Sequence, residues 1–253
     1  MITISGNVID PAPIMEQFPP TGIERKIIQQ LSNSQRMYDY DSVDQLQFEL
    51  ALRKQIILAS RELNRSRLAF TTFRDSRCNP EFWIRTEEGG FRLRPNVEPA
   101  QAIQDIYNNS SEYGTECATA IVILYYKAIL NIYPTNLFNR LFANIYLMNW
   151  MHVDSDLGIR NFQDPGDYLP GDCRYFKNPD VNPLTPYWQG ENAIDLGDGT
   201  FYGHGIGISS AEGIIRALNN NRIRGSVVSA YLMDTATRPD FKYLADRYGA
   251  SFP

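Results

Sequence analysis

The chain has 253 residues, 43% of them hydrophobic and 21% charged, a balance that excludes a fibrous or disordered protein. At this length roughly 70% of the open chain's surface is buried on folding, so a core forms without metal or disulfide staples. Lys+Arg 24 against Asp+Glu 29 leaves a formal charge of −5, and no basic run exists to track a phosphate backbone, so no nucleic acid partner is expected. No stretch approaches the ~18 apolar residues of a membrane span. The start, Met1-Ile-Thr-Ile-Ser, has neither a positive n-region nor a small-residue cleavage site, so no signal peptide is expected. Cys78, Cys117 and Cys173 are odd in number and widely spaced, which argues against a disulfide framework and for a reducing compartment.

Residues 1–40 are rich in Pro, Gln and Asn and read as a loop-rich segment with one short helix near Glu24 to Leu31. Ser42 and Gln45 then make a capping box, and Leu46, Leu50, Ile57 and Leu63 fall near one face of a helix. From Phe82 to Arg94, alternating residues flank Gly89-Gly90, a β-hairpin signal. Pro99 opens a helix that ends near Asn108-Asn109. The run Cys117-Ala-Thr-Ala-Ile-Val-Ile-Leu-Tyr-Tyr is apolar on every face and predicts a buried central helix. Residues 150–170 are polar and punctuated by Gly and Pro, a long loop of the kind that usually carries function. Strand signals follow around Tyr175, Ala193 and Phe201, then a helix capped by Ser209 with Glu212, a strand over Val227 to Met233 and a last helix from Pro239. The expected class is α+β, a single domain over residues 1–253 with strands clustered in the second half.

Chemistry can start at Glu116-Cys117. A cysteine at a helix N-terminus sees unpaired N–H groups and the positive end of the dipole, which favour thiolate. The same N–H groups can hold an oxyanion when that thiolate attacks a carbonyl. A small buried hydrophobe accounts for Cys117 equally well, and a dipole-complementing carboxylate accounts for Glu116. A nucleophile needs a proton acceptor. His204, between glycines in Tyr202-Gly203-His204-Gly205, is one candidate, though a hydrogen-bonded strand histidine fits the same pattern. His152, in the long loop, reads as a surface or supporting residue. Glu191 in Trp188-Gln-Gly-Glu-Asn192 is the other candidate, because burial raises a carboxyl toward the acceptor role. No metal or nucleotide cofactor is indicated. Asp154-Ser-Asp156 lacks the third acidic position, turn glycine and closing Glu of a calcium loop, Cys and His are never at zinc spacing, and Ile208 breaks the dinucleotide glycine pattern.

Taken together, Glu116-Cys117-Ala-Thr-Ala-Ile-Val-Ile-Leu-Tyr-Tyr, Gly171-Asp-Cys-Arg-Tyr-Phe-Lys-Asn-Pro179, Trp188-Gln-Gly-Glu-Asn192, His204-Gly-Ile-Gly-Ile208 and Ser229-Ala-Tyr-Leu232 closely resemble the Bacillus-type spore-coat transglutaminases. The resemblance runs over nearly the whole chain. It implies a papain-like cysteine-hydrolase core and a calcium-independent enzyme without cofactor. Such an enzyme is made in the mother cell, deposited on the spore coat, and cross-links coat proteins through glutamine and lysine side chains. By motif, Cys117 matches the nucleophile, Glu191 its paired carboxylate, Glu116 an adjacent carboxylate that shares the role, and His204 the histidine of the site. Trp150 and Trp188, with Phe70, match aromatic residues of the substrate passage. Cys173 reads as structural.

Two other classes remain open on the residues alone. A glutamine deamidase or cysteine peptidase would use the same thioester with water as acceptor. A non-catalytic coat or interaction protein would keep the thiol inert and use its aromatic residues for packing.

Overall fold

A computed structural model describes residues 1–149 and 157–250. Strands β1 (Ile2–Ile4), β2 (Asn7–Val8) and β3 (Tyr38–Tyr40) form a small sheet in which β1 pairs antiparallel with β2 and parallel with β3. Helices α1 (Ala12–Met15) and α2 (Ile23–Asn33) lie between them. The expected loop-rich opening is therefore a built layer. Ile2, Ile14, Ile27, Ile28, Leu31 and Tyr40 bury together against Leu46 and Leu50 of the next helix. Its strands escape sequence reading because two or three residues carry no periodicity and their partner lies far along the chain.

Helix α3 (Val43–Arg65) is capped as the sequence requires, with Ser42 Oγ accepting from the Gln45 N–H at 3.2 Å. Strand β4 (Ala69–Phe70) follows, then the hairpin β5 (Trp83–Arg85) and β6 (Phe91–Leu93), and α4 (Pro99–Asn108). Strand β7 (Gly114–Thr115) pairs parallel with β4 and leads directly into α5 (Cys117–Leu130). Between Ala118 and Ile129 every side chain of α5 is buried, as its apolar composition demands. Helix α6 (Thr135–Leu141) and strand β8 (Tyr146–Leu147), which extends the hairpin sheet through β6, complete the first half.

The second half is a seven-stranded antiparallel sheet of β9 (Arg160–Gln163), β10 (Cys173–Lys177), β11 (Gly190–Asp195), β12 (Thr200–Gly203) and β13 (Gly207–Ser210), then β14 (Tyr231–Leu232) and β15 (Thr235–Arg238) after helix α7 (Ala211–Asn219). Its order is β13-β12-β11-β10-β15-β9, with β14 also on β10. Helix α8 (Phe241–Gly249) closes on α3. Three details correct the sequence reading. Strand β9 lies inside the expected loop, the strand expected over Val227 to Met233 shortens to β14, and α7 is capped one residue later than expected. There Ser210, the last residue of β13, accepts from the Gly213 N–H.

One polar cluster ties the halves together. Arg53, fully buried in α3, bonds Glu49 and Asp172, each at 2.8 Å, and stacks 4.4 Å from the centroid of the Phe241 ring. Asp172 also takes Arg238 at 2.9 Å, which fixes the start of β10 against the helix layer. Among the described residues no helix is long and apolar enough to cross a membrane. The described residues hold no group of His, Cys, Asp or Glu that could bind a metal ion.

Candidate active site

Cys117 is the first residue of α5 and Glu116 is its N-cap. The Glu116 carboxyl accepts the Ala118 N–H at 2.9 Å, the Thr119 N–H at 2.6 Å and the Thr119 hydroxyl at 3.0 Å. It thereby satisfies two of the donors that a helix start leaves unpaired. The Cys117 thiol faces the same carboxyl, Sγ to Oε2 3.6 Å. On its other side the Asn192 side-chain Nδ2 stands 3.5 Å from Sγ, and the Asn192 backbone N–H faces the sulfur as well. Burial, with the negative charge of Glu191 and Glu116, pushes the thiol well above its ordinary range, while the Asn192 donors pull it down.

Glu191 lies in β11 and is only 2% exposed. Burial, reinforced by Glu116, raises its carboxyl from 4.5 to about 8, against the pull of the His204 backbone N–H that donates to it. Its Oε1 is buried with no hydrogen-bond partner. A buried carboxyl oxygen without a partner, whose charge acts on the Cys117 thiol, can accept a proton once ionised. The room for it comes from Gly203 on β12, where a Cβ would stand 2.8 Å from Glu191 Oε1.

The His204 ring is held elsewhere. Nε2 lies 3.2 Å from the Ala69 carbonyl and Nδ1 lies 3.1 Å from the Tyr202 hydroxyl. A carbonyl only accepts, so Nε2 carries the proton and Tyr202 donates to Nδ1. Burial lowers the imidazole from 6.5 to about 4, and it is neutral at physiological pH. His204 thus meets Glu191 through its main chain and ties β12 to β4 through its ring, while its ring bonds neither Cys117 nor Glu191.

The β4–β7 pairing sets Phe70 opposite Thr115, one residue before the cap. Phe70 packs on Trp188, Tyr187 and His204 with ring centroids 6.0 to 6.2 Å apart. A cavity of about 470 Å³ lies between these walls and is lined by Phe70, Glu116, Cys117, Tyr175, Tyr187 and Asn192 among others. Phe70 also borders a second hollow, of about 230 Å³, lined by His204. Trp188 does not line the larger cavity. It backs Phe70 and packs on the cluster of Phe176, Phe201 and Ile214. Trp150 and His152 lie outside the described residues. Cys173 is 2% exposed in β10, as a structural cysteine should be. Three site residues escape sequence reading: Asn192, Tyr175 and Tyr187. Asn192 and Tyr175 sit in the quoted motifs, but an asparagine after a glutamate or a tyrosine in a strand has no spacing signature. The one usable signal was Gly190, where a Cβ would stand 2.1 Å from the Tyr175 hydroxyl.

The profile described as protein-glutamine gamma-glutamyltransferase matches residues 1–248. The chain is 45% identical to the protein-glutamine gamma-glutamyltransferase of Bacillus cereus strain B4264, over all of this chain and 91% of the relative. It is 46% identical to that of Bacillus mycoides strain KBAB4, over 97% of this chain and 88% of the relative. The solved transglutaminase from Geobacillus stearothermophilus, without its C-terminal extension, superposes with a TM-score of 0.78 at 55% identity, covering 82% of this chain and 98% of the other. The protein is an acyltransferase on an α+β, papain-like scaffold. It belongs to the protein-glutamine gamma-glutamyltransferase family, the transglutaminases.

Proposed function

We propose that the protein joins glutamine to lysine side chains through a thioester on Cys117, with Glu191 as the proton carrier. The observation that carries this reading is the buried Glu191 Oε1, without a partner, on a carboxyl whose charge acts on a thiol that already faces Glu116 and Asn192. Glu191 takes the thiol proton as Sγ attacks the γ-carboxamide. The C–N bond breaks, ammonia leaves with that proton, and the acyl group remains on sulfur. A lysine Nζ then attacks the thioester carbon, the C–S bond breaks, and Glu191 passes the amine proton to the departing sulfur. Glu116 supports the thiol from the cap position and is a second acceptor. His204 positions Glu191 through its backbone N–H. Phe70 and Trp188 form aromatic wall and backing, and Trp150 is assigned to the same passage by its motif. Such walls limit the water that would hydrolyse the thioester.

On the resemblance of its motifs, the substrates are spore-coat proteins and the enzyme needs no calcium. The incomplete calcium loop at Asp154-Ser-Asp156 supports the second point. The test is incorporation of a fluorescent primary amine into casein, with and without EDTA, by wild type and Cys117→Ala. Signal that survives EDTA and vanishes in the variant is the expected result. Ammonia release without amine incorporation would mean a deamidase. Full activity in Cys117→Ala would end the assignment.

A further inference from the structure

A cysteine at a helix start ordinarily finds its oxyanion donors among the N–H groups of the first turn. Here the Glu116 carboxyl occupies two of them, the N–H of Ala118 at 2.9 Å and the N–H of Thr119 at 2.6 Å. The expectation that these helix amides hold the oxyanion therefore meets an occupied pair. The Cys117 N–H, at the first helical position, has no intrahelical acceptor and supplies one donor. A tetrahedral intermediate requires more than one to be held well.

We infer that Asn192 is a catalytic residue of this site, its side-chain Nδ2 being the second oxyanion donor. Nδ2 lies 3.5 Å from Sγ, and Asn192 lines the cavity that Cys117 opens into. An oxygen on a carbon newly bonded to sulfur falls within reach of a donor so placed. Asn192 is carried on β11, which pairs with β10 from Gly190 through Ile194 but with β12 only from Ala193 onward. The strand is thus anchored on one side and open beside Gly190 to Asn192 on the other. The inference rests on the thioester reading above and gives Asn192 and Glu191, neighbours in sequence, separate tasks. Glu191 moves the proton and Asn192 holds the negative charge.

The test compares wild type with Asn192→Ala and Asn192→Leu, the second close in size and without a donor. Ammonia release from benzyloxycarbonyl-glutaminylglycine is measured alongside iodoacetamide alkylation at Cys117, followed by mass spectrometry. Loss of an oxyanion donor should lower kcat by about 100- to 1,000-fold. KM should change by no more than about threefold, and alkylation should slow far less than acyl transfer, because it loses only the Asn192 contact to the sulfur and builds no oxyanion. A kcat within threefold of wild type overturns the inference, as does alkylation slowed as much as acyl transfer, which would confine Asn192 to the thiolate. Independently of any variant, wild type crystallised with a peptide carrying an aldehyde in place of the glutamine amide should place the hemithioacetal oxygen about 2.7–3.1 Å from Nδ2. An oxygen turned to other donors overturns the inference even if the variants unfold. A wild type that releases no ammonia defeats the thioester reading itself, whereas an active wild type with unaffected variants defeats only the role of Asn192.

Discussion

Gly203 and Glu191 form a pair in which the glycine does the work of an absence. A methyl at Gly203 would stand 2.8 Å from both Cγ and Oε1 of Glu191, so Gly203→Ala must shift the carboxyl. Misplacing a proton carrier by about 1 Å costs on the order of 100-fold in rate. Gly203→Ala should show that loss in kcat while its melting temperature stays near that of wild type. The pH dependence follows from the same carboxyl. In the proposed role Glu191 must be ionised to take the thiol proton, and it loses its own at about 8. The rate should therefore climb with pH and level off above about 8, and a flat profile between pH 6 and 9 would contradict the assignment. Stability runs the opposite way. Folded Glu191 holds its proton up to about 8, whereas the unfolded chain releases it near 4.5. Over that window the folded state binds more protons, so stability falls as pH rises. Glu191→Gln removes this slope, and its melting temperature should gain on wild type from pH 5 to pH 9.

At the scale of the element, α5 depends on its cap. Glu116 accepts two backbone N–H groups and the Thr119 hydroxyl, and Glu116→Ala leaves all three without that partner. Loss of an N-cap side chain costs about 1 kcal/mol. Denaturant unfolding of Glu116→Ala should show a loss of that size, separable from any change in rate. Helices α3, α4 and α5 were legible in the sequence because each spans ten or more residues and carries a cap, a proline or an apolar run that local chemistry explains. The hairpin was legible through Gly89-Gly90. Strands β1, β9 and β15 were not, since three or four residues pair with partners that no local pattern names. Cap placement at α7 failed by one residue because Ser209 and Ser210 are chemically alike, and strand register chose between them. The site was legible in the same uneven way. Cys117 touches Glu116 and feels the charge of Glu191, but the His204 ring is bonded to Ala69 and Tyr202, and nothing in the spacing said so.

The whole molecule is held across its two halves by Arg53, which is why a charged residue stands on the buried face of α3. Removing it takes the guanidinium from Glu49, which keeps only the Tyr40 hydroxyl, and from Asp172, which keeps Arg238. Breaking a buried ion pair from one side costs roughly 3–5 kcal/mol. Arg53→Ala should lose that much in denaturant unfolding, whereas Arg61→Ala, whose bridge to Asp198 is largely solvent-exposed, should lose about 0–1 kcal/mol. The sheet order has a consequence for how the protein is made. In the proposed mechanism Glu191 can carry a proton only inside a strand seated between β10 and β12, and Gly203 must be in place before its carboxyl is positioned. The ribosome delivers Cys117 well before either. At about 5–20 residues per second, the nascent thiol waits on the order of ten seconds for its acceptor. Throughout that interval the growing chain carries the cysteine and Glu116 but not the main acceptor proposed for the thiol, so full cross-linking chemistry waits until the second half of the chain is built.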